Sequence, residues 1–191
     1  MQSLVPDIWI NMSNIFLTAD THFGHCNILK YCNRPFKDHE EMNEGIISRF
    51  LEVLRNGDTL YHLGDVCHSH FPIKSWLDRM PGIQVHLIYG NHDKHKLLLH
   101  PKIIWTGERK GVQIGKDRFE LFHYPMRSWN HKGHGAYHCF GHCHGRLPIY
   151  DRSMDVGVDT HNYYPYHVDE IVKTLKDNPF FHDSDHHNKG I

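Results

Sequence analysis

Short apolar runs alternate with amphipathic stretches through the first hundred residues. "NIFLTAD" (14–20), "TLYHLGD" (59–65) and "QVHLIYG" (84–90) are apolar runs bounded by polar or turn residues, the pattern of buried strands. Between the first two, "DHEEMNEGIISRFLEVL" (38–54) repeats Met42, Ile46, Ile47, Phe50, Leu51 and Leu54 at helical spacing. Acids fill its first turn, where the helix end favours negative charge. "IKSWLDRM" (73–80) predicts a helix ended by Pro81-Gly82, and "HDKHKLLLH" (92–100) begins another. This alternation predicts parallel βαβ units. The second half reads differently. "KIIWTGE", "GVQIG", "RFELFHY" and "AYHCFGH" predict strands joined by short turns, "SMDVGVD" (153–159) predicts one more, and "HVDEIVKTLKD" (167–177) predicts a helix. We divide the chain into an N-terminal extension (1–13), one domain (14–178) and a histidine-rich tail (179–191) expected to be disordered.

The bulk numbers narrow the class. The 191 residues suit a single core, and 39% hydrophobic with 23% charged residues reads as a soluble globular protein. A net charge of −1 argues against extended nucleic-acid binding, which needs a strongly basic face. No apolar run is long enough to span a membrane. Five cysteines, an odd number, and an N-terminus without a basic-then-apolar leader predict reduced thiols and a cytoplasmic setting. Twenty-one histidines are the anomaly, because imidazole is the commonest metal ligand.

Several strands end in such groups. "DTHFGH" carries Asp20 and His22, "GDVCH" carries Asp65 and His68, and "GNHD" carries Asn91, His92 and Asp93. "LFHYP" adds His123, and "CFGHCHGR" (139–146) adds His142 and His144. In extended chain, residues two apart face the same way, so Asp20 with His22 and His142 with His144 are expected to point into one space. Open α/β sheets bind ligands beyond the carboxyl ends of their strands. Each fragment alone is weak: "GNHD" is most often a turn, and a lone histidine is most often solvated. The cysteines and histidines of 139–144 are packed too tightly for a structural zinc framework, so the thiols are expected to serve as small buried groups.

Taken together, in this order, the fragments resemble the calcineurin-like metallophosphoesterases, whose pattern runs Asp-x-His, Gly-Asp, Gly-Asn-His-Asp/Glu, His, Gly-His-x-His. The resemblance covers about residues 14–158. It implies an α/β fold of two packed mixed β-sheets flanked by helices, a four-layer sandwich. It implies one metal ion held by Asp20, His22, Asp65 and His144, and a second held by Asp65, Asn91, His123 and His142. Carboxylate, imidazole and amide ligands suit manganese first, with iron, zinc or nickel as alternatives. The implied activity is hydrolysis of phosphate esters by a hydroxide bridging two divalent transition-metal ions, with His92 giving a proton to the leaving oxygen.

The residues around this set carry further expectations. His68 is expected to act in catalysis, supporting the proton donor or touching the phosphate; His25 and Asn91 are expected to contact the substrate, and Arg34 in "CNRPF" to clamp a phosphate oxygen through its planar fork. The opening "DTHFGHCNILKYCNRPF" resembles small bacterial and phage members of the family. Asp93 is expected to cap the helix that follows it. In "YPMRSWNHKGHG" (124–135), Trp129 is a candidate to stack a base, with Arg127 and Lys132 holding phosphate. The expected substrate is a small, nucleotide-like phosphodiester. The alternatives are a phosphomonoesterase or protein phosphatase, or an inactive metal-binding interaction module. His182, His186 and His187 of the tail have no assigned role.

Overall fold

A computed structural model describes residues 13–68, 71–93 and 99–179. The expected N-terminal extension, the tail and the middle of the 92–100 segment lie almost wholly outside these residues. Strands β1 (Ile15–Thr18), β2 (Thr59–His62), β3 (Gln84–Ile88) and β4 (Ile103–Gly107) form a parallel set in the order β4-β3-β2-β1. A two-residue strand, β9 (Tyr166–His167), adds antiparallel to β1 and was not expected from the sequence. The second sheet has the order β5-β6-β7-β8, with β5 Arg109–Ile114, β6 Asp117–Phe122, β7 Tyr137–Phe140 and β8 Ser153–Asp155. Its β5–β6 hairpin is antiparallel and its other pairings are parallel, so both sheets are mixed, as expected.

Helices supply the outer layers. Helix α2 (His39–Val53) starts where the acids predict, and the Asp38 carboxylate accepts from Glu41 N–H at 2.8 Å as its cap. Helix α4 (Val168–Leu175) begins with His167 and Glu170 forming a reciprocal capping box. Two single-turn helices, α1 (Ile28–Tyr31) and α3 (Lys74–Leu77), are the other α-helices among the described residues; α3 is half the expected length.

Two cores follow from strand alternation. Phe16, Leu60, Val85 and Leu87 face α2 and α3, packing on Met42, Ile46, Phe50 and Trp76. Leu17, Tyr61 and Ile88 face the second sheet, meeting Phe119, Leu121, Tyr137 and Cys139, with Ile171 and Leu175 of α4. Each fully buried large side chain contributes about 1.5–3 kcal/mol by leaving water. The sheets are thereby locked face to face, and their carboxyl ends open on the same side.

Candidate metal centre

The strands stop short of the residues expected to act. β1 ends at Thr18, β2 at His62 and β7 at Phe140. Asp20, His22, Asp65, His142 and His144 lie beyond these ends with φ of 56°, 50°, 55°, 69° and 49°. The expectation that each pair shares a face by strand alternation is therefore incorrect. Left-handed backbone turns the side chains inward instead. Asp, Asn and His enter this region more readily than most residues, and each such position stores of order 1–3 kcal/mol. Five of the ten non-glycine residues with positive φ among those described are in this set.

The turns are packed against one another. A Cβ on Gly64 would lie 2.5 Å from Gly90 N, and one on Gly90 would overlap the Asp65 carboxylate. The helix that Asp93 was expected to cap lies outside the described residues, and Asp93 itself serves the loops. Its carboxylate accepts from Asp65 N–H and Gly90 N–H, both at 2.8 Å, and from Val66 N–H at 2.9 Å. It ties the loop after β2 to the loop after β3. Burial nevertheless pushes its pKa upward, the amide donors only partly opposing that.

Two groups of side chains meet across Asp65. Asp20, His22 and His144 offer atoms within 4.8 Å of one another, and so do Asp20, Asp65 and His123. Asp65 Oδ2 lies 3.5 Å from His22 Nε2 and 3.6 Å from His123 Nε2. Asn91 Oδ1 lies 3.0 Å from His123 Nε2 and 3.0 Å from His142 Nδ1. Leu63 C=O accepts from His123 Nδ1–H at 2.8 Å, which leaves Nε2 as an acceptor facing the Asn91 oxygen. A cation fits between them. Asp20 Oδ1 and His22 Nε2 are buried without a hydrogen-bond partner, which in a native interior calls for an ion or another unseen group.

The titration of the set fits the same purpose. Burial raises the Asp20 pKa well above the usual carboxylate range, so a bound cation would offset its desolvation. Burial, aided by Arg34, holds His22 well below its ordinary value and keeps it neutral. Burial also lowers His123. His144 is different: burial opposes its charge, but its hydrogen bond to Asp159 and the nearby Asp20 raise its pKa to about 10. A metal taking His144 Nε2 therefore displaces a proton.

Asp159 was not singled out from the sequence, and it changes the reading of Arg34. Asp159 Oδ2 accepts from His144 Nδ1–H at 2.7 Å. Arg34 Nε–H and Nη2–H donate to the two oxygens of Asp159, each at 2.8 Å, and further donations reach Asp20 O, Thr21 O and Met42 Sδ. All five N–H groups of the fork are directed into the protein, and the residue is 4% exposed. The expectation that Arg34 grips a phosphate is thus corrected: it is a positioning residue, holding Asp159 and through it the His144 ring. The spacing of Asp155 and Asp159 in "DVGVD" is the one signal that pointed there. Asp155 accepts from Gly145 N–H at 2.9 Å and Gly157 N–H at 2.7 Å, holding the exit of the His144 loop.

His92 is exposed, its backbone N–H donates to Asp65 Oδ1 at 2.9 Å, and its ring lies 5.4 Å from that of His22. His25 stacks on His68 at 5.0 Å and lies 6.1 Å from His92. These three histidines line the mouth. Trp129 and Lys132 of the loop at 124–135 do not join them as expected. Trp129 is buried and donates to Ala136 O at 2.9 Å, and buried Lys132 pairs with Asp151 at 3.5 Å. Apolar cover and a carboxylate partner hold both inside, where neither can meet a base or a phosphate. The cysteines are all free, yet only Cys67 and Cys139 are buried as expected. Cys32 instead lies with His144 and Asp159, all three offering atoms within 4.8 Å.

With this geometry in place, comparison with known proteins is decisive. Residues 14–163 match the model of the calcineurin-like phosphoesterase superfamily domain. The chain belongs to that superfamily. An uncharacterized protein of Methanocaldococcus jannaschii is 34% identical over 178 residues, covering 87% of this chain and 94% of that protein. The gene 66 protein of Mycobacterium phage D29 is 24% identical over 200 residues, covering 87% of this chain and 98% of the phage protein. A crystal structure of a protein of unknown function from Aquifex aeolicus superposes with a TM-score of 0.67 at 25% identity, covering 86% of this chain and all of that one (100%). This phosphoesterase is thus a metal-dependent hydrolase of phosphoric esters with the two-sheet fold of its superfamily. Among the described residues no helix is long and apolar enough to cross a membrane.

Proposed function

We propose that this phosphoesterase hydrolyses phosphodiesters of nucleotide-like substrates at a centre of two divalent ions, manganese suiting the carboxylate, imidazole and amide donors best. The reading rests above all on Asp65, whose Oδ2 stands between His22 and His123 at 3.5 and 3.6 Å. Asp20, His22, Asp65 and His144 would hold one ion; Asp65, Asn91, His123 and His142 would hold the other. Bound there, the ions supply a water acidified for attack and neutralise phosphate charge. His92, anchored through its backbone to Asp65 and exposed at the mouth, protonates the leaving oxygen. His25 and His68 orient the phosphate beside it. Arg34 keeps His144 in its tautomer and orientation through Asp159. Free thiols favour a cytoplasmic setting.

The test is turnover of bis-p-nitrophenyl phosphate with added manganese, alongside metal content. Wild type is expected to hydrolyse it and to carry two ions per chain. Asp65→Asn, which removes the shared charge, is expected to lose both ions and turnover. Hydrolysis of monoesters alone would replace the diester reading with a phosphomonoesterase, and one retained ion in Asp65→Asn would refute the shared position.

A further inference from the structure

Beside the Asn91, His123 and His142 side of the centre lies a cleft of about 270 Å³ lined by Tyr89, Gly90, Glu108, Phe122 and Tyr124. Its connection to the site is covalent as well as spatial. Gly90 precedes Asn91, and Tyr124 follows His123. The Tyr124 ring lies 4.7 Å from the His142 ring and 5.0 Å from the His123 ring. Tyr124 is 38% exposed, so part of its ring is open to solvent at the edge of the metal centre. Phe122 meets it edge-on at 5.5 Å. Aromatic walls of this kind take a planar ring by stacking.

Glu108 stands where the two sheets join. It is the single residue between β4 and β5, so the chain leaves one sheet and enters the other at this point. The position is held from both sides: Tyr89 N–H donates to Gly107 O at 2.9 Å, and Arg109 pairs with Phe122 across the hairpin. The neighbouring cation, Arg109, is already engaged with Glu120 at 3.0 Å. Glu108 itself makes no hydrogen bond or ion pair among the described residues. An ionised carboxylate is an acceptor only. A ring entering the cleft beside Tyr124 therefore meets an exposed carboxylate that accepts N–H donors and repels carbonyl oxygens.

From this juxtaposition we infer that the cleft is a base pocket, and that it selects a nucleobase with two adjacent N–H donors, as in guanine. This deepens the nucleotide-like reading above and rests on it. Guanine offers its ring N–H and amino group to one carboxylate together; adenine and cytosine offer an amino group alone; uracil flanks its single N–H with two carbonyls that the carboxylate repels. The predicted order of preference is guanine, then adenine and cytosine, then uracil.

Binding tests this apart from catalysis. The probes are the 5′-methylenephosphonate analogues of guanosine and uridine monophosphate, whose C–P bond resists hydrolysis, titrated calorimetrically into manganese-loaded protein. The guanosine analogue is expected to bind about tenfold or more tightly than the uridine one, the scale of a two-donor base contact. Glu108→Gln should bring the two within about twofold, since the amide offers one acceptor and a competing donor. Tyr124→Ala should weaken both by about tenfold through lost stacking. Both positions are exposed, and circular dichroism checks the fold. Equal affinities in wild type, a preference for uridine, or no binding of either analogue would each overturn the pocket. Turnover of bis-p-nitrophenyl phosphate by the same preparation separates this from failure of the phosphoesterase reading: a protein that hydrolyses it yet ignores the base refutes the pocket alone.

Discussion

At the scale of single residues, chemistry and support are divided between side chains that the sequence does not distinguish. His92 and Arg34 illustrate the split. His92 sits exposed at the mouth, outside both groups that could hold metal, so His92→Ala should keep its metal content. It should lose about 10²–10⁴-fold in kcat/KM on a nucleotide diester, whose alkoxide needs a proton to leave. On bis-p-nitrophenyl phosphate, whose leaving anion is stable, the loss should be far smaller. Equal losses would make His92 a phosphate-binding group instead. Arg34 directs its whole guanidinium into the protein. Arg34→Lys cannot reproduce the two-pronged hold on Asp159. Manganese affinity, read by calorimetry, is expected to fall about 10–100-fold, the usual cost of disturbing the partner of a ligating histidine. A normal metal affinity with a raised KM would restore the phosphate clamp.

At the scale of elements, the parallel strands act mainly as a rack, and the working geometry belongs to their loops. The loop after β1 lies against that after β2, with Asp20 N–H donating to Gly64 O at 2.9 Å and His22 N–H to Asp65 O at 3.0 Å. The loop after β7 is drawn in by Asp20, whose Oδ2 accepts from His142 N–H at 2.8 Å. Asp93 closes the set by joining the loops after β2 and β3. Asp93→Asn leaves one oxygen to serve three amides and turns a donor towards them. It should lower metal affinity by about 10–100-fold without touching an ion, with little change in the fold. Unchanged affinity by calorimetric titration would show that Gly64 and Gly90 alone fix these loops.

At the scale of the molecule, acid acts on the fold as well as on the metal centre. His138 is fully buried in the second sheet; its Nδ1–H donates to Glu120 O at 2.9 Å, and its Nε2 accepts from Met126 N–H at 3.1 Å. Burial lowers its pKa to about 4, and burial lowers that of His62 to about 3. An unfolded histidine titrates near 6.5. Below that pH the unfolded chain binds the proton first, so stability is full above about 6.5 and is lost as pH falls towards 4. For His138 the loss at pH 5 relative to pH 8 is about 2 kcal/mol. Urea denaturation of wild type and His138→Gln at the two pH values measures it: the variant should be less stable at pH 8 but lose less on acidification. Identical pH slopes would show that His138 does not contribute.

Much of this was legible without coordinates. Parallel strands alternating with helices, the amphipathic α2 and its acidic start all follow from local periodicity, which depends on each residue and its near neighbours. The same holds for the ordered motifs in "DTH", "GD", "GNHD" and "GHCH", since a loop that must turn sharply and present a ligand needs Gly, Asp, Asn or His at fixed places. What depended on distant parts of the chain was not legible. Arg34 meets Asp159 across 125 positions, so its fork read as an open clamp until the fold supplied the partner. Trp129 and Lys132 looked available for substrate because a loop sequence does not show which side chains its own turns will bury. Strand β9 is too short to carry a period and exists only because β1 offers it an edge. Glu108 is an ordinary charged residue in the sequence, and only the junction of two sheets sets it beside the aromatic rings of the cleft. Local pattern determined the elements and the ligand types; long-range packing decided which polar groups remained free to act.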